Sequence, residues 1–261
     1  MKIPFFQVDA FSSRAFGGNP AAVCVLESWL DQEVLQNIAA ENNLSETAFL
    51  VPVSPGNYDL KWFTPAVEMD LCGHATLASA FILFKYFDQD LSMLHFKTAS
   101  GQLSVEKSDE LLSMDFPARP PVETVAPQFL TEALGVEARY VLESRDLLVV
   151  FENEDIIQNM SPDFDTIKKI KSHFAIIVTA PGNNSDFVSR FFTPNAGINE
   201  DPVTGSAHCT LIPYWAKRLG KNTMHAYQLS SRKGELFCEY SGERVKISGY
   251  STLFAKGEIH L

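Results

Sequence analysis

The chain has 261 residues, of which 46% are hydrophobic and 20% charged, a composition typical of a folded globular protein. Its 21 Lys and Arg against 32 Asp and Glu give a formal net charge of −11, the wrong sign for a protein that binds nucleic acid or an anionic membrane. Four cysteines without a C-x-x-C pair, and no segment resembling a leader peptide or a membrane span, predict a cytoplasmic protein without disulfides.

The first half of the chain reads as short strands around two helices. Alternating apolar residues predict strands at 3–9, 21–26, 45–53, 58–64, 94–98, 102–107 and 111–116. A helix is expected at 32–42, with Asp31 as its N-cap and Asn42-Asn43 as its end. Residues 73–86 are strongly apolar at helical length, which predicts a buried central helix.

The second half repeats this pattern after residues 115–121, whose prolines predict a linker. Helices are expected at 128–135, 162–170 and, buried, at 205–219, with strands at 140–151, 174–179, 187–193 and over most of 225–261. The last strand, 251–259, is a candidate to cross back and complete the sheet of the first half.

Three motifs of the first half return in the second half, in the same order. The pairs are 63–65 with 192–194, 72–75 with 204–207, and 100–103 with 233–236. A repeat of this length indicates domain duplication, not a solenoid. We therefore predict an α+β protein of two similar domains, each a mostly antiparallel sheet with one long helix inside its curl. The domains are 1–117, with 251–261 as a candidate addition, and 118–250, with a ligand cleft between them.

Each half leads a loop into the start of its buried helix, at Gly73 and at Gly205-Ser206. Free N–H groups and the helix dipole at such a start favour an anion, and glycine lets a ligand approach the backbone. The alternative is that the glycines only permit a tight entry into the helix. Because the feature is duplicated, we favour a site for a small carboxylate.

Three further side chains are candidates for chemistry, each with a plainer alternative. His74 lies in the first turn of its helix, where the dipole is expected to lower its pKa, although it could be a structural histidine. Asp201 precedes Pro202 and could simply cap the following helix. Glu46 begins an apolar strand, where partial burial would suit a general acid–base, but it could also be an exposed loop residue.

Other kinds of site fail on spacing. Cys72, His74, His208 and Cys209 could suggest zinc, but adjacent His208 and Cys209 point in different directions from a helix, so no metal is expected. No G-x-G-x-x-G, G-x-x-x-x-G-K-[ST] or G-x-S-x-G motif occurs, so no nucleotide cofactor and no serine-hydrolase elbow are indicated.

Over essentially its whole length the chain resembles the PhzF family, the phenazine-biosynthesis-like proteins of the diaminopimelate-epimerase fold. The resemblance is carried by residues 6–11, 18–23, 43–49, 63–65, 72–76 and 200–208. It implies two pseudo-symmetric domains, each a barrel-like sheet around a central helix, and a homodimer. The defining member isomerises trans-2,3-dihydro-3-hydroxyanthranilate.

The resemblance also implies roles for particular residues. It makes the protein a cofactor-free isomerase in which Glu46 transfers a proton within the cleft. His74 and Asp201 would support this glutamate. Gly73, Gly205 and Ser206 would hold the carboxylate of the substrate.

The sequence is also compatible with two other functions. A racemase could use Cys72 with Glu46 or Asp201 on the opposite face, although the second half has no cysteine before Thr204 to make a symmetric two-thiol enzyme. A binding protein could retain the cleft without turnover.

Overall fold

The computed structural model describes residues 1–261, which divide into two compact units. The first unit comprises Met1–Asp115 together with Ser248–Leu261, and the second comprises Phe116–Ile247.

The first unit contains nine strands and two helices. The strands are β1 Lys2–Ala10, β2 Asn19–Val25, β3 Glu46–Ser54, β4 Asn57–Phe63, β5 Glu68–Met69, β6 Met93–Thr98, β7 Gly101–Ser108, β8 Leu111–Pro117 and the last strand of the chain, β18 Ser251–His260. The helices are α1 Gln32–Asn42 and α2 Gly73–Tyr86. Both helices have the bounds that the sequence predicts. Asn43 closes α1 in the left-handed conformation, whereas Asp31 precedes it without a capping hydrogen bond from its side chain.

The strands of the first unit form a mostly antiparallel sheet in the order β18-β1-β2-β3-β4-β6-β7-β8. Only the pairs β2–β3 and β4–β6 are parallel. α2 packs against β1, β2 and β3, and most of its residues are buried, which explains its unbroken apolar sequence. Because β18 pairs with β1 from end to end, Lys2 lies opposite His260.

The second unit has the same plan. Its strands are β9 Val122–Glu123, β10 Tyr140–Glu143, β11 Leu147–Val150, β12 Ile176–Pro181, β13 Phe187–Thr193, β14 Ile198–Glu200, β15 Thr223–Gln228, β16 Gly234–Tyr240 and β17 Arg244–Gly249. Its helices are α3 Leu130–Leu134, α4 Glu154–Asn159, α5 Phe164–Ile167 and α6 Gly205–Leu219, with a 3₁₀ turn at Pro194–Ala196.

Strand pairing repeats between the two units. β11–β12 is parallel like β2–β3, and β12–β13 is antiparallel like β3–β4. β13–β15 is parallel like β4–β6, with α6 in the place of α2 along the chain. The predicted α+β architecture with two similar halves is confirmed, whereas the sequence did not predict α4 or the two- and three-residue strands.

The proline-rich segment is not the free linker that its composition predicts. Residues 115–117 belong to β8, and the N–H of Ala118 donates to the carbonyl of Glu243 at 2.8 Å. Pro213 inside α6 has no N–H, so the carbonyl of Cys209 four residues earlier loses its helical partner. The N–H of Arg119 donates to that carbonyl at 2.8 Å. The segment therefore supplies a hydrogen bond that the helix lacks.

The four cysteines are free and buried. No helix has both the length and the apolar character needed to span a membrane.

Candidate active site

Glu46 and His74 are in contact in the first unit. Oε2 of Glu46 lies 3.0 Å from Nε2 of His74, and the side chains are 16% and 7% exposed. Both atoms are buried, and the contact is too poorly aligned to count as a hydrogen bond, so the attraction is mainly between charges. Such contacts often become aligned only when substrate binds. The alternative of an exposed loop glutamate is therefore wrong.

The sheet register brings the two residues together. β2 and β3 run parallel with Ala21 opposite Glu46, so Glu46 lies at the start of its strand, close to where β2 begins. His74 is the second residue of α2, which packs on both strands.

The other ring nitrogen of His74 faces two polar side chains. Nδ1 lies 3.2 Å from the amide nitrogen of Asn19 and 3.6 Å from the sulfur of Cys72. Asn19 is fully buried and Cys72 is 7% exposed. The imidazole is thus enclosed by three polar groups from β2, β3 and the residue before α2.

The pKa of His74 shifts in the direction opposite to the one expected from the helix dipole. Burial alone lowers this pKa, but Cys72 and Glu46 raise it, and the net result is well above the usual value of histidine. Burial also raises the pKa of the Cys72 thiol, which keeps its proton, so the Glu46 carboxylate is the group that stabilises the imidazolium. A full charge at 3.0 Å outweighs the partial charge of a helix start.

The same three side chains form a donor set for a metal ion. Glu46, Cys72 and His74 each offer one ligand atom, and these atoms lie within 4.8 Å of one another. A thiolate, an imidazole and a carboxylate are ligands that zinc accepts. The third ligand is thus Glu46, and not His208 or Cys209, the partners that the sequence suggests for Cys72 and His74. Acid–base work needs protons on these atoms, whereas a metal displaces them, so the two uses exclude each other.

The start of α2 has N–H groups that the helix itself does not satisfy. Cys72 is the N-cap residue, and its side chain makes no capping hydrogen bond. The N–H of Thr76 donates to the carbonyl of Cys72 at 3.2 Å. The N–H groups of Gly73 and His74 precede the first helical hydrogen bond, so they suit an anion.

In the second unit, Asp201 is not the N-cap of α6. Thr204 occupies that position, and its hydroxyl donates to Oδ2 of Asp201 at 2.5 Å. Gln228, fully buried on β15, accepts from the N–H of Thr204 at 2.8 Å and donates to the carbonyl of Asp201 at 2.8 Å. The loop before α6 is thus held by its own side chains and by one buried glutamine.

Ser206 and Gly205 begin α6. The guanidinium of Arg145 donates to the hydroxyl of Ser206 at 3.2 Å and binds the buried Asp146 carboxylate with two nitrogens. Because the oxygen of Ser206 accepts from Arg145, its own hydroxyl hydrogen remains available to an anionic ligand.

No local sequence pattern predicts a role for Asn19, Arg145 or Gln228. Asn19 lies in the Gly17-Gly18-Asn19-Pro20 loop. A polar residue between two glycines and a proline indicates a tight turn, and this pattern could have drawn attention to Asn19. Nothing local distinguishes Gln228 from other glutamines, because its importance comes from the neighbouring strands.

Comparison with known proteins agrees with this architecture. A family model described as phenazine biosynthesis-like protein (PhzC-PhzF) matches residues 8–257. A protein of Pseudomonas aeruginosa named an uncharacterized isomerase is 52% identical over 261 residues, covering 100% of both chains. The crystal structure of a PhzF-family protein from Enterococcus faecalis is 50% identical, with a TM-score of 0.98 over 100% of both chains.

A more distant structure shows the fold alone. A protein of Pseudomonas aeruginosa described as a predicted epimerase is 20% identical, with a TM-score of 0.77 over 98% of this chain and 99% of the other. The chain belongs to the PhzC-PhzF family of phenazine biosynthesis-like proteins.

Proposed function

We propose that the protein is a cofactor-independent isomerase in which Glu46 moves a proton between two carbons of a small carboxylate-bearing substrate. The observation that carries this proposal is the contact of 3.0 Å between Oε2 of Glu46 and Nε2 of His74. A carboxylate is a suitable base for taking a proton from carbon, and the imidazole beside it is placed to stabilise the charge that this transfer leaves.

The proposed reaction has two steps. The C–H bond of the substrate breaks, its proton forms an O–H bond with Glu46, and the electron pair remains on the substrate. The negative charge thereby moves from Glu46 to the substrate, while the charged ring of His74 remains next to it and stabilises the anion. Glu46 then returns the proton to another carbon, and no external reactant is consumed.

For binding, we propose that the helix starts hold the substrate carboxylate. Gly73 supplies backbone N–H groups at α2, and Gly205 and Ser206 do so at α6. Asp201 is proposed as a supporting group, tested by Asp201→Asn. The relatives named isomerases and the family resemblance support this reading, with a substrate like trans-2,3-dihydro-3-hydroxyanthranilate. A homodimer is also proposed from the resemblance, and light scattering of the purified protein tests it.

Deuterium incorporation tests the mechanism. Wild type, Glu46→Gln and the control Glu33→Gln, an exposed glutamate of α1, are incubated in D₂O with a panel of small carboxylates that includes trans-2,3-dihydro-3-hydroxyanthranilate. Mass spectrometry and chromatography follow label and isomer. We expect Glu33→Gln to match wild type and Glu46→Gln to lose at least about 10²-fold in kcat/KM. Wild-type activity in Glu46→Gln would exclude the proposed role.

An epimerase is the second candidate, because the Cys72 sulfur touches the same imidazole at 3.6 Å. The raised pKa of this thiol argues against it as a base. In an epimerase that uses the thiol, Cys72→Ser should abolish turnover, whereas in the isomerase the serine variant should retain activity. Specific binding of the carboxylates with no turnover by wild type would favour a binding protein instead.

A further inference from the structure

The second unit repeats a contact of the first unit with different side chains. In the first unit Asn19, which begins β2, lies 3.2 Å from His74, the second residue of α2. In the second unit Arg145, two residues before β11, donates to the hydroxyl of Ser206, the second residue of α6, at 3.2 Å. β12 begins with the apolar Ile176, whereas β3 begins with a glutamate. The second unit thus places a cation and a hydroxyl where the first unit places its candidate acid–base pair.

Three neighbours hold the guanidinium of Arg145 in one orientation. Nε and Nη2 donate to the carboxylate of Asp146 at 2.9–3.2 Å, and this carboxylate is buried. The guanidinium carbon lies 5.3 Å from the ring centre of Phe174, and Nη2 also donates to the hydroxyl of Ser206. Nη1 has no partner in the protein, and the Arg145 side chain is 38% exposed. A guanidinium fixed in this way can bind an anion with little further loss of conformational entropy.

A second arginine meets the same part of α6. The N–H of Arg119 donates to the carbonyl of Cys209, which lies three residues after Ser206 along the helix, at 2.8 Å. Nη1 of Arg119 is buried and has no hydrogen-bond partner. Burial raises the pKa of the Cys209 thiol to about 11, and the charges of Arg119 and Arg145 oppose this rise, so both guanidinium groups lie near the thiol. A buried cationic nitrogen without a partner is costly unless an anion binds close to it.

We propose that Arg145 is a specificity-determining residue that, together with the hydroxyl of Ser206, binds the carboxylate of the substrate, while Arg119 adds positive charge at this end of α6. This inference deepens the proposed function and rests on it for the identity of the ligand. Backbone N–H groups at the start of α6 can bind a charged or a neutral acceptor, whereas a guanidinium favours a carboxylate over a neutral amide. Recognition of the charge of the substrate is therefore the role of the second unit.

Binding without turnover tests this role. The probes are acetate, benzoate and anthranilate, each compared with its uncharged amide, and ligand-observed NMR titration of the full-length protein measures Kd. We expect wild type to bind at least one of the carboxylates more tightly than its amide. Arg145→Gln should bind that carboxylate about 10–100-fold more weakly than wild type, because a charged hydrogen bond is lost, and should bind the amide with little change.

Two further variants separate recognition from folding. Arg145→Gln leaves the Asp146 carboxylate buried without its partner, so the double variant Arg145→Gln/Asp146→Asn removes both charges and should show the same loss of carboxylate binding. If Arg145→Gln does not fold, the double variant decides. The control is Arg139→Gln, because Arg139 lies at the other end of the β10–β11 hairpin and pairs with the exposed Glu152. This control should bind the probes like wild type.

Each outcome supports or overturns the proposal. Loss of the preference for carboxylate over amide in the folded Arg145 variants, with Arg139→Gln unchanged, would support it. It would be overturned if wild type bound none of the three carboxylates, if the folded variants lost less than about threefold in affinity, or if the amides lost affinity equally. If Glu46→Gln is fully active while the Arg145 variants lose carboxylate binding, the isomerase mechanism fails and the binding role of Arg145 stands.

Discussion

Gln228 is expected to be a main support of the loop that carries Asp201. Its side chain is fully buried, accepts from the N–H of Thr204 at 2.8 Å, and donates to the Asp201 carbonyl at 2.8 Å and to the Thr204 hydroxyl at 3.1 Å. Gln228→Leu keeps similar volume but removes the glutamine that accepts from the buried N–H of Thr204 and donates to the part-buried carbonyl of Asp201. Each such group costs about 1–3 kcal/mol, which gives a loss of about 2–6 kcal/mol in the free energy of unfolding.

Urea denaturation followed by fluorescence measures this loss. The control is Gln102→Leu, at an exposed glutamine of β7. Total stabilities of domains are about 5–15 kcal/mol, so the predicted loss is large enough to lower the midpoint clearly. A loss below about 1 kcal/mol in Gln228→Leu, or an equal loss in Gln102→Leu, would show that Gln228 is not a main support of this loop.

Gln228→Glu adds a test by pH. One carboxylate oxygen can still accept from Thr204, but the other faces the carbonyl of Asp201 unless it is protonated. Folding therefore raises the pKa of the introduced acid above its unfolded value of about 4.3. The free energy of unfolding of the variant should be closest to that of wild type below this pH. The difference between the two should grow as the pH rises toward the pKa of the acid in the folded protein. A deficit independent of pH would contradict the assigned contacts.

Three further outcomes are expected. Gly18→Ala should lower the free energy of unfolding by at least about 2 kcal/mol, because the new Cβ would overlap the carbonyl oxygen of Ala10 at a residue with positive φ. Urea denaturation measures this loss, and an unchanged stability would contradict the expected overlap. Burial lowers the pKa of His208 to about 4. In the unfolded chain this histidine has a pKa near 6.5, so it is protonated at a higher pH there than in the folded protein. The free energy of unfolding should therefore fall by roughly 3 kcal/mol between about pH 6.5 and 4, and His208→Gln should make this fall smaller. Zn²⁺ should bind Glu46, Cys72 and His74 more tightly as pH rises, because the metal displaces protons from its ligands. In competition with a chromophoric chelator, Cys72→Ser should bind Zn²⁺ at least about tenfold more weakly than wild type. Equal affinities of the two proteins would exclude this site.

Much of the fold could be predicted from the sequence because its signals are local. The bounds of α1, α2 and α6 follow from an unbroken helical pattern and from residues such as Asn43 that end a helix. The repeated strand pattern follows from alternation and turns. The linker prediction was wrong because composition does not reveal that Arg119 satisfies the carbonyl left open by Pro213.

The predicted roles of the site residues stay predictions, but the structure shows which side chains of each unit meet. The sequence predicts that Glu46 begins a strand and that His74 lies in the first turn of a helix. From the helix dipole we predicted a lowered pKa for His74. Their contact reverses that expectation. Asn19 enters the same site from a loop to which the sequence assigned no chemistry.

What the sequence alone determined is the set of elements and their duplication, because periodicity, caps and turn residues act over a few neighbours. The partners of His74 and of Thr204, by contrast, follow from the tertiary structure. Glu46 meets His74 through the parallel register of β2 and β3 and the packing of α2 on them, and Gln228 meets Thr204 from another strand. Contacts between residues distant along the chain depend on strand register and packing, and they set the charges and hydrogen bonds on which chemistry depends.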